Sequence, residues 1–421
     1  MSGGGRDTRI QFRSFARVGS GVCAEFVRRG LGLGLVQRHQ AFLFRPLNAE
    51  APGRAGRPLV ERERHWEHDQ QETVGYHASA RGAYDCFFTC DRIFRASSMK
   101  WLPFLLIITA VLNAADVPLP AGAKPHNLGS VDAGEGPAWD GKGNLYFTAD
   151  HRITIRDSNG KIRVFRDPSN GAGGLLFDSR RRLMICEGTT RRVTRIEPDG
   201  KTIVLADRYQ GMRFNSPNDV TIDSQGRIYF SDPRYGPRDD MEMRDEHGQL
   251  VEGVYRIDAP GKVTRIIGHE IDRANGVLVS PRDQYLYVAD NNNNDVGAAR
   301  KLWRFELRVD GTIAPTSRKL IFDWGTGRGP DGVKMDQAGR LYVAAGLNKP
   351  NPPYETVDKF KGGVYIISSE GKLLDFIPIP VDEVTNCAFG GSDWKTFFIT
   401  AGGTLWSIPV NTPGWTPLSG R

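Results

Sequence analysis

One short unit recurs six times along the chain. A tight turn followed by an apolar strand begins at Asp140, Asp178, Asp223, Ser280, Asp336 and Gly391, at spacings of 38, 45, 57, 56 and 55 residues. After each comes a second hairpin, in the segments opening at Ile153, Val193, Val254, Leu302, Val364 and Leu405. Alternating apolar and polar residues around Asn-Gly, Asp-Gly and Gly-Lys turns are hairpin signals, so each repeat supplies four strands. No helical period appears after residue 116. Four strands repeated six times predict an all-β fold, a six-bladed β-propeller whose four-stranded blades surround a central channel. The propeller is expected over residues 120–416 as one domain. A β-sandwich would not need a sixfold repeat. The extra length of repeats three to five lies between hairpins, in 234–252 and 291–300, where loops on one face are expected to shape a pocket mouth.

Stepping back five positions from each turn gives Glu135, Gly173, Asn218, Asn275, Asp331 and Asn386. Five of these six carry a side-chain oxygen. The first strand of each propeller blade lines the axis, so equivalent positions converge as a ring. Asn or Asp before Gly is a common turn pair, but the residues two positions later, Pro137, Leu175, Val220, Val277, Val333 and Ala388, are apolar and strand-like. Two carboxylates with amide oxygens suit Ca²⁺, a hard cation that takes six to eight oxygens. Zinc or copper would be expected to recruit His or Cys, and none stands in the ring. The predicted cofactor is therefore Ca²⁺ in a metal-binding channel, with Mg²⁺, Mn²⁺ or Zn²⁺ as alternatives, and the candidate ligands are the five oxygen-bearing residues Glu135, Asn218, Asn275, Asp331 and Asn386. Asp219 places a carboxylate where most repeats have Gly, which makes it a further candidate.

The segment before Met99 is a different kind of sequence. Residues 1–98 hold 15 Arg, no Lys and 10 acids, which is +5 of the chain's formal +7. From Met99 onward the charge is +2, so no nucleic-acid surface is expected on the propeller. Met99-Lys100, an apolar run from Trp101 to Leu112, and Ala114-Ala115 follow the layout of a secretory signal over 99–115. That run falls short of the roughly 20 residues a spanning helix needs, so no stable membrane span is expected. Because a signal does not work from an internal position, translation is expected to start at Met99, with 1–98 a misassigned or disordered upstream segment and the mature protein periplasmic or secreted. A translated Arg-rich leader is the alternative. Five cysteines, Cys23, Cys86, Cys90, Cys186 and Cys387, form neither a metal-finger spacing nor an even disulfide framework.

Several motifs occur together and in order: Gly134-Glu135-Gly136-Pro137, the run from Arg213 to Val220 with Ile228 to Gly236, Ala274-Asn275-Gly276-Val277, and Gly329 to Ala344. Over residues 127–410 the chain resembles the gluconolactonase and regucalcin (senescence marker protein) family of six-bladed propellers. The resemblance implies a divalent-metal-dependent lactonase with Glu135, Asn218, Asn275 and Asp331 at the family's metal positions. It also implies that Arg213, Asn215 and Asn218 hold substrate hydroxyls, although Ser216 and Pro217 intervene before Asn218-Asp219, which leaves the role of each Asn open. The paraoxonases share the architecture, but their catalytic histidine pair has no match among His126, His151, His247 and His269.

The expected reaction is hydrolysis of a sugar-type lactone, the metal polarising the carbonyl and a carboxylate assisting attack by water. The resemblance favours Asp331 as base, with Asp219 as the fallback. A carboxylate touching Ca²⁺ is a feeble base, so Asp331 as relay for a proton from metal-activated water is an equal reading. No G-x-S-x-G elbow is present, and Cys186 and Cys387 are expected to be buried thiols. The alternative from another class is a non-catalytic, calcium-stabilised propeller that binds a small ligand or a protein partner. A third reading is an esterase or organophosphate hydrolase on the same site. The sequence fixes neither the lactone nor the oligomeric state.

Overall fold

The computed structural model describes residues 117–149 and 151–419. The Arg-rich segment 1–98 and the signal-type stretch 99–115 lie outside the described residues.

The local reason for the repeat is an Asp side chain that closes a turn on its own backbone. Oδ1 of Asp140 accepts the N–H groups of Lys142 at 2.7 Å and Asn144 at 3.0 Å. Asp178, Asp223 and Asp336 make the same pair of bonds to the residues two and four positions on. A carboxylate that mimics a turn acceptor is the mechanism by which Asp starts hairpins. In three repeats the second carboxylate oxygen also binds an Arg four residues later: Asp178–Arg182 at 2.6 Å, Asp223–Arg227 at 2.5 Å and Asp336–Arg340 at 2.7 Å.

Antiparallel four-stranded sheets follow from these turns. The second blade runs from Ala172–Phe177 to Thr202–Ala206, the third from Val220–Ile222 to Lys262–Ile267, the fourth from Ala274–Val279 to Lys319–Asp323, and the fifth from Val333–Met335 to Leu373–Pro378. The first and sixth blades share one seven-stranded sheet through the long strand His126–Trp139. Its second half, Ala133 to Trp139, pairs with Asn144–Ala149 as the first blade's inner strand. Its first half, from His126, pairs with Gly403–Pro409 as the sixth blade's outer strand. The sixth repeat thus supplies three strands, not the expected four. The segment that resembled a further hairpin strand contains Pro413 and Pro417, which lack the N–H a ladder needs. It turns back instead, Trp415 N–H donating to Met335 O at 2.9 Å.

Six hydrophobic clusters among the described residues lie one at each blade-to-blade junction. Met184, Cys186 and Val193 meet Val220, Phe230 and Tyr255 between blades two and three. Tyr229, the neighbour of Phe230, faces the other way, against Val277, Leu286 and Phe305. Successive strand residues point to opposite faces, and both faces are covered, which is why Ile228–Ser231, Leu341–Ala345 and Gly363–Ile367 are buried throughout. Trp324 and Trp406 are buried in these clusters, with Trp303 packed against one. No helix among the described residues is long and apolar enough to cross a membrane.

Candidate metal and active site

The six ring positions lie where the inner strands stop being regular. The pairing register shifts at Glu135 in the first blade, between Ala172 and Leu175 in the second, between Ala274 and Val277 in the fourth, and between Val384 and Asn386 in the sixth. In the third and fifth blades the ladder begins only after Asn218 and Asp331, at Val220 and Val333. Bulges of this kind re-aim side chains and break pairing next to functional sites.

Contacts at these positions run from blade to blade around the ring. Gly174 N–H donates to Asn218 O at 2.6 Å and Gly332 N–H to Thr385 O at 2.8 Å. Val277 N–H donates to Asp219 Oδ2 at 3.2 Å, and the circuit closes with Asn386 Nδ2 donating to Glu135 Oε2 at 3.1 Å. Glycine makes two further blade-to-blade approaches possible. A Cβ on Gly276 would stand 2.1 Å from Asp331 O, and one on Gly136, at φ +54°, 2.1 Å from Gly173 O.

Three carboxyls are drawn together here. Burial pushes the Glu135 carboxyl up to about 7; the Asn386 bond opposes this and the Asp219 charge adds to it. Burial also holds Asp331 well above the usual carboxylate range, with the Glu135 and Asp219 charges adding and Arg328 and Asn275 opposing. Arg328 is the nearest guanidinium, 4.0 Å from Asp331 Oδ2. Asn275 is 4 % exposed; its Nδ2 donates to Tyr235 Oη at 2.9 Å, while its Oδ1 is buried without a partner. An unsatisfied buried carbonyl oxygen costs free energy, and the Glu135 charge opposes ionisation of Asp331 beside it. All the donors are oxygens, so the residues present fit a hard divalent ion. Glu135, Asn275 and Asp331, with Asn218, would hold it. No group of three or more His, Cys, Asp or Glu arranged for a metal occurs among the described residues, so the fit rests on the mixed carboxylate and amide set.

The other predicted residues fall in distinct places. Asn386 is part of the ring, but its Oδ1 already accepts Cys387 N–H at 2.9 Å and Lys334 Nζ at 3.3 Å, so it orients Glu135. Asp219 is buried, its N–H on Ser231 Oγ at 3.1 Å. Asn215 is fully buried; its Nδ2 donates to Asp232 O and Val251 O at 3.0 and 2.7 Å, and its Oδ1 has no partner. Arg213 stands exposed on a two-stranded ribbon, Arg208–Tyr209 with Met212–Arg213, and pairs with Glu242 at 2.5 Å. Nothing in its bonding joins Arg213 to the carboxyl group of residues. Cys186 and Cys387 are buried free thiols, and burial pushes Cys387 up to about 12.

Three contributors were not singled out from sequence. Tyr235 accepts from Asn275 and donates to Asn291 O at 3.1 Å, and Arg273 lies over its ring at 5.3 Å. Arg328, just before the motif that opens at Gly329, and Lys334, within it, each stand three residues from Asp331.

Residues 133–403 match the profile described as the SMP-30/Gluconolactonase/LRE-like region. The chain belongs to that family. A gluconolactonase of Zymomonas mobilis is 28% identical over 305 residues, covering 66% of this chain and 79% of its own. Among solved structures, a gluconolactonase from Xanthomonas campestris superposes with a TM-score of 0.58 at 29% identity, over 70% of this chain and 92% of that one. The calcium-binding protein regucalcin from Agrobacterium tumefaciens shares the fold, with a TM-score of 0.54 at 17% identity, over 72% of this chain and 98% of that one.

Proposed function

We propose that the protein is a divalent-metal-dependent lactonase acting on sugar-type lactones such as glucono-1,5-lactone. Family membership supports the hydrolase class, and a single observation carries the site: the partnerless Asn275 Oδ1 beside the raised carboxyls of Glu135 and Asp331. Ca²⁺ is the proposed ion, with Mg²⁺, Mn²⁺ or Zn²⁺ as alternatives. When bound, the ion supplies positive charge at the lactone carbonyl oxygen.

The chain's own residues do the rest. Asp331 takes a proton as water adds to the carbonyl carbon, then returns it to the ring oxygen as the acyl C–O bond breaks, leaving a hydroxy acid. In the metal-free site burial and the Glu135 charge raise its affinity for a proton while Arg328 at 4.0 Å opposes them, and a bound ion would oppose them further. Asn275 is fixed by Tyr235, and Glu135 by Asn386. Asn215 Oδ1 lacks a partner but is fully buried, so a substrate hydroxyl would reach it only if binding uncovered it. Arg213 would have to leave Glu242 to reach the same molecule.

Purified protein beginning at Met99 is expected to open glucono-1,5-lactone, to lose that rate with a chelator and to regain it with Ca²⁺. Asp331→Asn is expected to lower kcat by at least about 100-fold with the fold intact by circular dichroism. Absence of any metal-dependent rate across a lactone and ester panel would leave the non-catalytic propeller. We also propose export from a Met99 start; the amino-terminal sequence of the native protein tests it.

A further inference from the structure

Lys334 comes from the fifth blade's inner strand. Its Nζ lies 3.2 Å from Val333 O, 3.3 Å from Asn386 Oδ1 and 3.9 Å from Asp219 Oδ2. Asn386 belongs to the sixth blade and Asp219 to the third, which stand opposite each other in a ring of six. A group that reaches both lies at the axis. An ammonium has three donors and no acceptor, and three oxygens surround this one.

The surroundings change character at this point. On one side are the oxygens of the ring. On the other is a cavity of about 50 Å³ with an apolar wall, to which Lys334, Leu175, Val220, Val277 and Ala388 contribute and which Trp415 of the carboxy-terminal segment also lines. The ammonium is therefore the floor of the polar site. The charges agree with this placement: Glu135, Asp219 and Asp331 are buried close enough to act on one another, Arg328 faces Asp331, and Lys334 faces Asp219. Neighbouring buried carboxylates repel strongly in a low-dielectric setting unless a cation stands between them.

We propose that Lys334 is a built-in cation at the axial position beneath the ring, with Asp219 as the counter-charge of the ammonium, so that the ring oxygens above it are left to a single divalent ion. This rests on the metal-site reading above but not on the lactone as substrate. Lys334 is a positioning residue: it acts on the ion through Asn386 and Asp219.

The test is calcium affinity and stoichiometry, measured by titrating chelator-stripped protein with CaCl₂ in a calorimeter and by elemental analysis of the reloaded, desalted protein. One Ca²⁺ per chain is expected for the wild type. Lys334→Met keeps the aliphatic stem and removes the charge; the uncompensated Asp219 then acts on the ion, and affinity at least about tenfold higher is expected at the same stoichiometry. The double variant Lys334→Met, Asp219→Asn is expected to return to the wild-type affinity. Unchanged or lower affinity in Lys334→Met would overturn the proposal. Should Lys334→Met not fold, Asp219→Asn decides: it keeps one ion if Asp219 is a counter-charge, and its loss of all Ca²⁺ binding would make Asp219 a ligand and overturn the assignment. No ion in the wild type would sink the metal site itself, whereas lactone turnover, assayed separately, bears only on the substrate.

Discussion

Glu135→Gln is expected to stabilise the metal-free protein at high pH while weakening its response to calcium. The carboxyl is pushed up to about 7 from an ordinary 4.5. Its protonated form is thus favoured by the fold, and the stability this lends is complete below the unfolded value and lost as pH rises through 7. At 1.36 kcal/mol per pKa unit the loss reaches about 3 kcal/mol by pH 9. Gln imitates the protonated acid and can still accept from Asn386 Nδ2, so the variant escapes the penalty. Denaturant unfolding in chelator should therefore give near-equal stabilities for wild type and variant at pH 4. At pH 9 the variant should be ahead by up to about 3 kcal/mol, or roughly 5 °C in Tm. Saturating Ca²⁺ at pH 9 should reverse the order, because an ion that binds only the folded wild type stabilises it by mass action. A variant equally destabilised at both pH values without metal would refute the reasoning, since it would mean that Glu135 contributes by packing or hydrogen bonding and not as a desolvated charge.

Other perturbations test the scaffold. Gly276→Ala forces a Cβ to 2.1 Å from Asp331 O and should cost about 3 kcal/mol in denaturant unfolding, with metal affinity falling in parallel. Asp223→Ala removes the acceptor for Gln225 N–H, Arg227 N–H, Arg227 Nε and Tyr229 Oη, and a loss of about 2–4 kcal/mol is expected by the same measurement. A chain beginning at Val117 should match the longer protein in Tm, whereas one beginning at Asp132 should melt lower and aggregate, as light scattering would show, because the sixth blade's edge is then bare.

The blades were legible because four of the six turns start from an Asp, at 140, 178, 223 and 336, whose own side chain closes the turn, and the remaining two keep the same spacing. The ring was legible for a related reason: Glu135, Asn275 and Asp331 occupy one register position, and a register is countable. Strand ownership was not. That the sixth blade takes its outer strand from His126 depends on pairing with Ser407, 281 residues away, and nothing local to Leu405 or Pro413 signals it. Asn386 kept the spacing of a ligand, but its oxygen went to Lys334 and the Cys387 amide, a partition that needs three-dimensional neighbours to see. Arg213 likewise carried the motif, yet its position on a separate exposed ribbon, bonded to Glu242, depends on how the connection between the second and third blades folds. Lys334 and Arg328 were passed over because cations were not sought beside a cation site, although a cluster of buried carboxylates demands them.

The strand contributed by His126 also constrains how the protein can be made. The sheet shared by the first and sixth blades is complete only when His126 to Ala133 meet Gly403 to Ser407, so a nascent chain carries an open sheet edge until that last strand has emerged. Long-range pairing of this kind is slow to find, and an unsatisfied edge invites pairing with a neighbouring chain. Ring closure is thus expected to be the slowest step of assembly, and truncation into His126–Ala133 or into Gly403–Pro409 should harm yield more than the number of residues removed would suggest.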